Sequence, residues 1–207
     1  MSKSRLRIAT LFGIPIRVHI SWLLIFVLVT WSLAGNYFPQ RYPNWTAGLS
    51  WFIGIVTSLL FFGSVLLHEL GHALVARSFG VPVEDITLFV FGGLAQIGEE
   101  PESPGREFLM AGVGPFVSII LSGLFAVLYL LTRRISEPIA ALGLYLGGIN
   151  LTLGLFNLIP GFPLDGGRVL RSILWAIRHN LTEATRWASR AGQIVAYLFI
   201  FIGVLQA

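Results

Sequence analysis

The chain has 207 residues, of which 55% are apolar and only 12% are Asp, Glu, Lys or Arg. Soluble domains carry about 25% charged residues, so half of a water-facing surface is missing, and a mean hydropathy of +0.79 points to an integral membrane protein. The absence of cysteine excludes disulfide scaffolds, thiol nucleophiles and thiolate metal sites, while basic residues scattered between apolar runs, for a net charge of +4, fit anionic lipid rather than nucleic acid.

A membrane span needs about 20 mostly apolar residues, and five stretches free of charged side chains qualify. Residues 18–40 form the first, with a helix starting near Ile20, ending around Gly35 and Asn36, and followed by an interfacial loop at Pro39 and Pro43. The second, residues 44–67, runs directly into His68, and its helix should continue to about Ser78 before Gly80 and Pro82 stop it. Residues 86–97 then read as a β-hairpin of β-branched and aromatic residues turning at Gly92 and Gly93, followed by a solvated loop of Glu99, Glu100 and Glu102 with Pro101 and Pro104. The third span is residues 108–132. The fourth is residues 138–164, but Pro160, Pro163, Gly166 and Gly167 prevent regular helix over 157–167, and helix should resume over 168–179. A fifth span begins at Ala191 and reaches Ala207 without a polar flank, so a C-terminal part is expected beyond it.

The predicted fold is an all-α polytopic membrane protein of about five transmembrane helices, a sixth lying outside the chain, with a small β-hairpin or sheet between the second and third spans. Residues 1–207 form one membrane-embedded core. With Lys3, Arg5, Arg7 and Arg17 ahead of the first span, the N-terminus is placed in the cytoplasm; threading from there leaves eleven basic residues inside and three outside.

One string carries chemistry. In His68-Glu69-Leu70-Gly71-His72 the two histidines stand four apart, within about 40° of each other on a helix, so both imidazoles reach one metal ion. Glu69 falls on a neighbouring face, where it can approach a metal-polarised water without ligating the metal, as a general base must. Composition alone predicts roughly 0.003 occurrences of this pattern. Two imidazoles leave a catalytic zinc one protein ligand short, and the other acidic residue bracketed by apolar sequence is Asp165, in the broken segment. Unwound backbone survives at membrane depth only when buried in protein or lining a wet cavity. Of the remaining histidines, His19 reads as a structural or interfacial residue and His179 as solvated, and Gly112, Gly114 and Gly147 read as close helix contacts without chemistry.

Together, His68-Glu-Leu-Gly-His72, Phe91-Gly-Gly93, Pro101-Glu-Ser-Pro104, Gly112-x-Gly-Pro115 and the 157–167 string resemble the site-2 protease family of intramembrane zinc metalloproteases. The resemblance implies one zinc ion held by His68, His72 and Asp165, with Glu69 as base and Asn157 positioning substrate or stabilising charge. It implies a membrane-anchored protein substrate cut in or near a transmembrane segment, in regulated proteolysis at a prokaryotic cell membrane, and leaves homo-oligomerisation open. The branch resembled usually carries C-terminal cystathionine β-synthase-like modules, absent here, and nothing resembles a PDZ insertion. The competing reading is a metal transporter or sensor that binds an ion without hydrolysis; such a protein has no use for the carboxylate of Glu69.

Overall fold

The computed structural model describes residues 5–90, 92–97 and 102–206. The amino-terminal segment, which carries no predicted secondary structure, forms two strands, β1 (Arg5–Leu11) and β2 (Ile14–His19). They are joined by Phe12 and Gly13, both at positive φ, as a tight two-residue hairpin requires. β2 pairs in parallel with β3 (Val83–Phe89), which pairs antiparallel with β4 (Gly92–Ile97), giving the order β1-β2-β3-β4. The predicted hairpin is thus half of a four-stranded sheet. Its reversal lies between Phe89 and Gly92, and Gly92 and Gly93 belong to β4 rather than to the turn, because Gly93 pairs with Leu88 and Gly92 with Phe89. The predicted acidic loop falls largely on residues 98–101, outside the described residues; Glu102 pairs with Arg106 one helical turn on.

Five helices are long and apolar enough to cross a membrane. The first span joins α1 (Ile20–Ser32), a π-helical stretch (Leu33–Tyr37) and α2 (Phe38–Arg41), so it passes through Gly35 and Asn36 instead of ending there. Pro39 lies at the junction of the π-helical stretch and α2, where the helical hydrogen-bond register changes. His19 is the N-cap of α1, its Nδ1 accepting from the Ser21 amide at 3.2 Å. α3 (Ala47–Ser78) starts at a Thr46 cap and stops where Gly80 adopts φ +81°. Its 32 residues extend about 48 Å, well beyond a hydrocarbon core of about 30 Å. α4 (Pro104–Thr132) and α5 (Glu137–Asn157) follow, then the irregular residues 158–164, α6 (Asp165–Arg178) and α7 (Leu181–Leu205). α6 begins three residues earlier than the sequence suggests, making Asp165 its first residue.

Packing brings the sheet to the C-terminal half of α3. Fully buried Ile14, Ile16 and Ile86 of the sheet meet Leu70 and Ala73, which flank and interleave the two histidines on that helix. Burial of each such aliphatic side chain contributes roughly 1.5–3 kcal/mol. A second apolar cluster, including Phe38, Ile53 and Leu146, closes the opposite end of the bundle. α4 lies between α3, α5 and α6, so it can brace groups on all three.

Candidate metal centre

α3 places the imidazoles of His68 and His72 one above the other, 4% and 5% exposed. Their Nε2 atoms lie 3.2 Å apart, and Asp165 Oδ2 stands 3.1 Å from the first and 3.2 Å from the second. Residues separated by nearly a hundred positions therefore converge on one point, and they form a group able to hold a metal ion.

The donor set fits zinc. Ligand distances of about 2.0–2.1 Å in a tetrahedral site place neighbouring donors about 3.3–3.4 Å apart, close to what is seen here. The outer ring nitrogens agree. His72 Nδ1 donates to the Met110 carbonyl at 2.6 Å, which leaves a lone pair on Nε2, and His68 Nδ1 meets Ser118 Oγ at 2.9 Å. Lone pairs and a carboxylate aimed at one another repel unless a cation lies among them.

α4 supplies these outer partners and one more feature. A Cβ built on Gly114 would stand 2.6 Å from His68 Nε2 and from His72 Cε1, and closer still to His72 Nε2. Gly114 is thus the floor of the ligand cradle and not a helix contact. Gly112 faces open space and does not make the helix contact expected of it, whereas Gly147 packs against α4, where an added Cβ would lie 3.5 Å from the Ala126 amide and the Ser122 carbonyl and its own carbonyl accepts from Ser122 Oγ at 2.8 Å. The irregular segment before α6 also has a steric cause. A Cβ on Gly166 would collide with the Leu158 and Ile159 carbonyls, and one on Gly167 would lie 2.5 Å from Phe162 N, so the loop folds over α6 only with glycines there. That fold turns Asp165 toward α3.

The three ligand groups line a cavity of about 680 Å³. Its walls are mostly apolar, with Ile25, Phe62 and Leu153 among them, and its polar lining includes Glu69, Asn157 and Arg168. Glu69 lies against β4: a Cβ on Gly93 would be 2.9 Å from its Cδ. Asn157, the last residue of α5, donates from Nδ2 to the Leu153 carbonyl at 3.1 Å. Every residue singled out from the sequence therefore reaches one cavity. Sequence reasoning missed Ser118, Met110 and Gly114, and also Glu107, which is wholly buried and takes two N–H groups of Arg171 on one oxygen. Glu107 follows Arg106 just ahead of the third apolar stretch and carried no usable signal, and a backbone carbonyl acting as partner leaves no trace in sequence.

A profile of peptidase family M50 matches residues 56–143 and 134–202. Among curated proteins, sll0528 of Synechocystis sp. is 47% identical over 98% of this chain and 52% of its own length. Zinc metalloprotease MJ0392 of Methanocaldococcus jannaschii is 34% identical over 97% of this chain and 54% of its own. The chain spans about half the length of these relatives. A solved structure, the site-2 protease from Methanocaldococcus jannaschii, superimposes with a TM-score of 0.59 at 31% identity, covering 98% of this chain and 86% of that one.

Proposed function

The chain belongs to peptidase family M50, the site-2 proteases, and from that premise we propose that residues 1–207 form the membrane-embedded core of a zinc metalloprotease that hydrolyses a peptide bond in or near a transmembrane segment of a membrane-anchored protein. The observation that carries the reading is the meeting of His68 Nε2, His72 Nε2 and Asp165 Oδ2 in a cavity that Glu69 also lines.

His68 and His72, oriented by Ser118 and Met110, would hold a zinc ion together with Asp165. Such an ion would supply Lewis acidity, polarising a carbonyl and easing the deprotonation of water. Glu69 accepts a proton from the attacking water at its carboxylate and returns it to the leaving amine. Asn157 turns its side-chain amide toward the substrate carbonyl and stabilises the charge developing on its oxygen. The apolar walls keep bulk water from competing, which strengthens each of these interactions.

A helical substrate hides its carbonyls in hydrogen bonds, and each group left unpaired in lipid costs several kcal/mol. β4 is the edge of the sheet and its Gly93 adjoins Glu69, so an opened substrate strand pairs along β4 with its backbone beside the base. His68 lies 21 residues into α3, about 32 Å from its start, which supports hydrolysis toward the C-terminal end of that helix. With the N-terminus in the cytoplasm that end is cytoplasmic, and the products include a fragment released to the inside, as regulated proteolysis of a membrane-anchored factor requires.

Zinc content and cleavage of a membrane-anchored reporter, measured on the same samples, test the proposal. Glu69→Gln should keep zinc and lose cleavage, whereas His68→Ala and Asp165→Ala should lose both. Normal cleavage by Glu69→Gln would refute the mechanism; zinc binding without cleavage in the wild type would favour a transporter or sensor.

A further inference from the structure

One charged group in the cavity wall has no part in the scheme above. Arg168 follows Asp165 by three residues in α6, lines the same cavity and keeps 25% of its side chain exposed. It is the one Lys or Arg among the described lining residues. Arg171, three residues on, is fully engaged: Nε donates to Glu107 Oε1 at 2.7 Å, Nη2 donates to the same oxygen, and the guanidinium lies over the Phe162 ring. Glu107 is completely buried; its Oε1 takes both Arg171 donors, and its Oε2 has no hydrogen-bond partner among the described residues. Arg168 Nε stands 3.9 Å from the same oxygen, beyond hydrogen-bonding range, and its guanidinium makes no hydrogen bond among the described residues. A half-buried guanidinium without acceptors is costly, and its planar fork matches a carboxylate with two parallel N–H bonds. The charges point the same way. Glu69 and Asp165 offset a divalent ion and Glu107 offsets one of two guanidiniums, so Arg168, whose Nε is 3.9 Å from Glu107 Oε1, and Arg171 together carry one positive charge in excess.

We infer that Arg168 is a binding site for a peptide carboxylate, supplied either by an acidic side chain of the substrate or by the new carboxyl terminus that hydrolysis creates. The inference rests on the metalloprotease reading for the nature of the ligand. The site stands one helical turn from the third metal ligand, so the bound carboxylate lies near the scissile bond in either case.

The test uses the full chain, zinc-loaded and carrying Glu69→Gln so that bound peptides stay intact, with affinity read by fluorescence anisotropy in nanodiscs. Four apolar peptides of equal length serve as probes: one ending in a free acid, the same sequence amidated, and amidated versions with an internal Glu or Gln. A carboxylate peptide should bind about ten-fold tighter than its neutral partner, or more, as expected for a charge-assisted hydrogen-bond pair. The pair that shows the difference identifies the source. The preference should vanish on adding Arg168→Gln and fall several-fold on adding Arg168→Lys, whose ammonium lacks the fork. Equal binding of acid and neutral peptides to the Arg168 protein overturns the inference. So does a preference that survives Arg168→Gln in protein retaining zinc, since the metal alone then holds the carboxylate. Should Arg168→Gln fail to fold, an unchanged preference in Arg168→Lys is the overturning result. Reporter cleavage by protein with native Glu69 reads the metalloprotease proposal separately: no cleavage with an Arg168-dependent preference sinks that proposal alone, and cleavage without the preference sinks this one alone.

Discussion

Gly114→Ala puts a single methyl group into the metal centre. That methyl carbon would lie 2.6 Å from His68 Nε2 and closer to His72 Nε2, where an ordinary carbon–nitrogen contact needs about 3.4 Å. Relief therefore requires the imidazoles to retreat by at least about 0.8 Å, roughly four times the 0.2 Å within which metal–ligand distances are held. Both rings are pinned at the far side, one by Ser118 and one by Met110, so retreat also breaks those hydrogen bonds. Losing such outer partners alone costs about 10–100-fold in metal affinity, and displacing the ligands costs more, so zinc affinity should fall at least about 100-fold. The fold should survive. Alanine is a better helix former than glycine by about 1 kcal/mol, which offsets part of the roughly 1–3 kcal/mol of overpacking. Chelator competition gives the affinity, and circular dichroism with thermal melting gives the fold. Wild-type zinc affinity in a folded Gly114→Ala protein would show that this geometry of the two rings is not that of the metal-binding state.

Ser118→Ala removes only the His68 partner, so zinc affinity should drop about ten-fold, less than for Gly114→Ala; equal losses in the same chelator titration would contradict this ordering. Glu107→Ala removes the carboxylate that takes two Arg171 N–H groups in the α4–α6 interface and should destabilise the protein by about 3–5 kcal/mol, read as a lowered melting temperature in detergent. The double variant Glu107→Leu/Arg171→Met should recover most of that loss; no recovery would mean that the pair is not the source of the effect. Gly166→Ala, blocked by the Leu158 and Ile159 carbonyls, should displace Asp165 and abolish zinc retention, whereas Gly112→Ala, facing open space, should leave zinc content unchanged.

The spans were legible because a bilayer makes a crude demand. A helix must be about 20 residues long and apolar, and that property is local and additive along the chain. Helix ends were read less well where a cap or a π-helical stretch intervened, as at Gly35 and Asn36, which lie inside a continuous span. The amino-terminal strands were missed although the buried Ile14 and Ile16 alternate with the less buried Pro15 and Arg17 after a Gly13 turn, because the basic residues among them dominated the reading. Strand pairing is non-local: Ile16 meets Ile86 across seventy positions, and no window along the sequence contains both.

The sequence by itself determined the chemistry: two imidazoles and a carboxylate at helical spacing, a second carboxylate in a glycine- and proline-broken segment, and a chain too apolar for water. These follow from residue type and from the period of a single helix, which act over a few positions. Only the tertiary structure decided how far apart the ligand atoms stand, that α4 holds both rings through Ser118 and Met110, and that Gly114 must lack a side chain. It also decided that Arg171 is paired while Arg168 faces the cavity. The physical reason is common to all four. Each depends on distances of a few ångströms between helices that meet only after folding, and a metal centre or a buried charge responds to those distances and not to the order of residues along the chain.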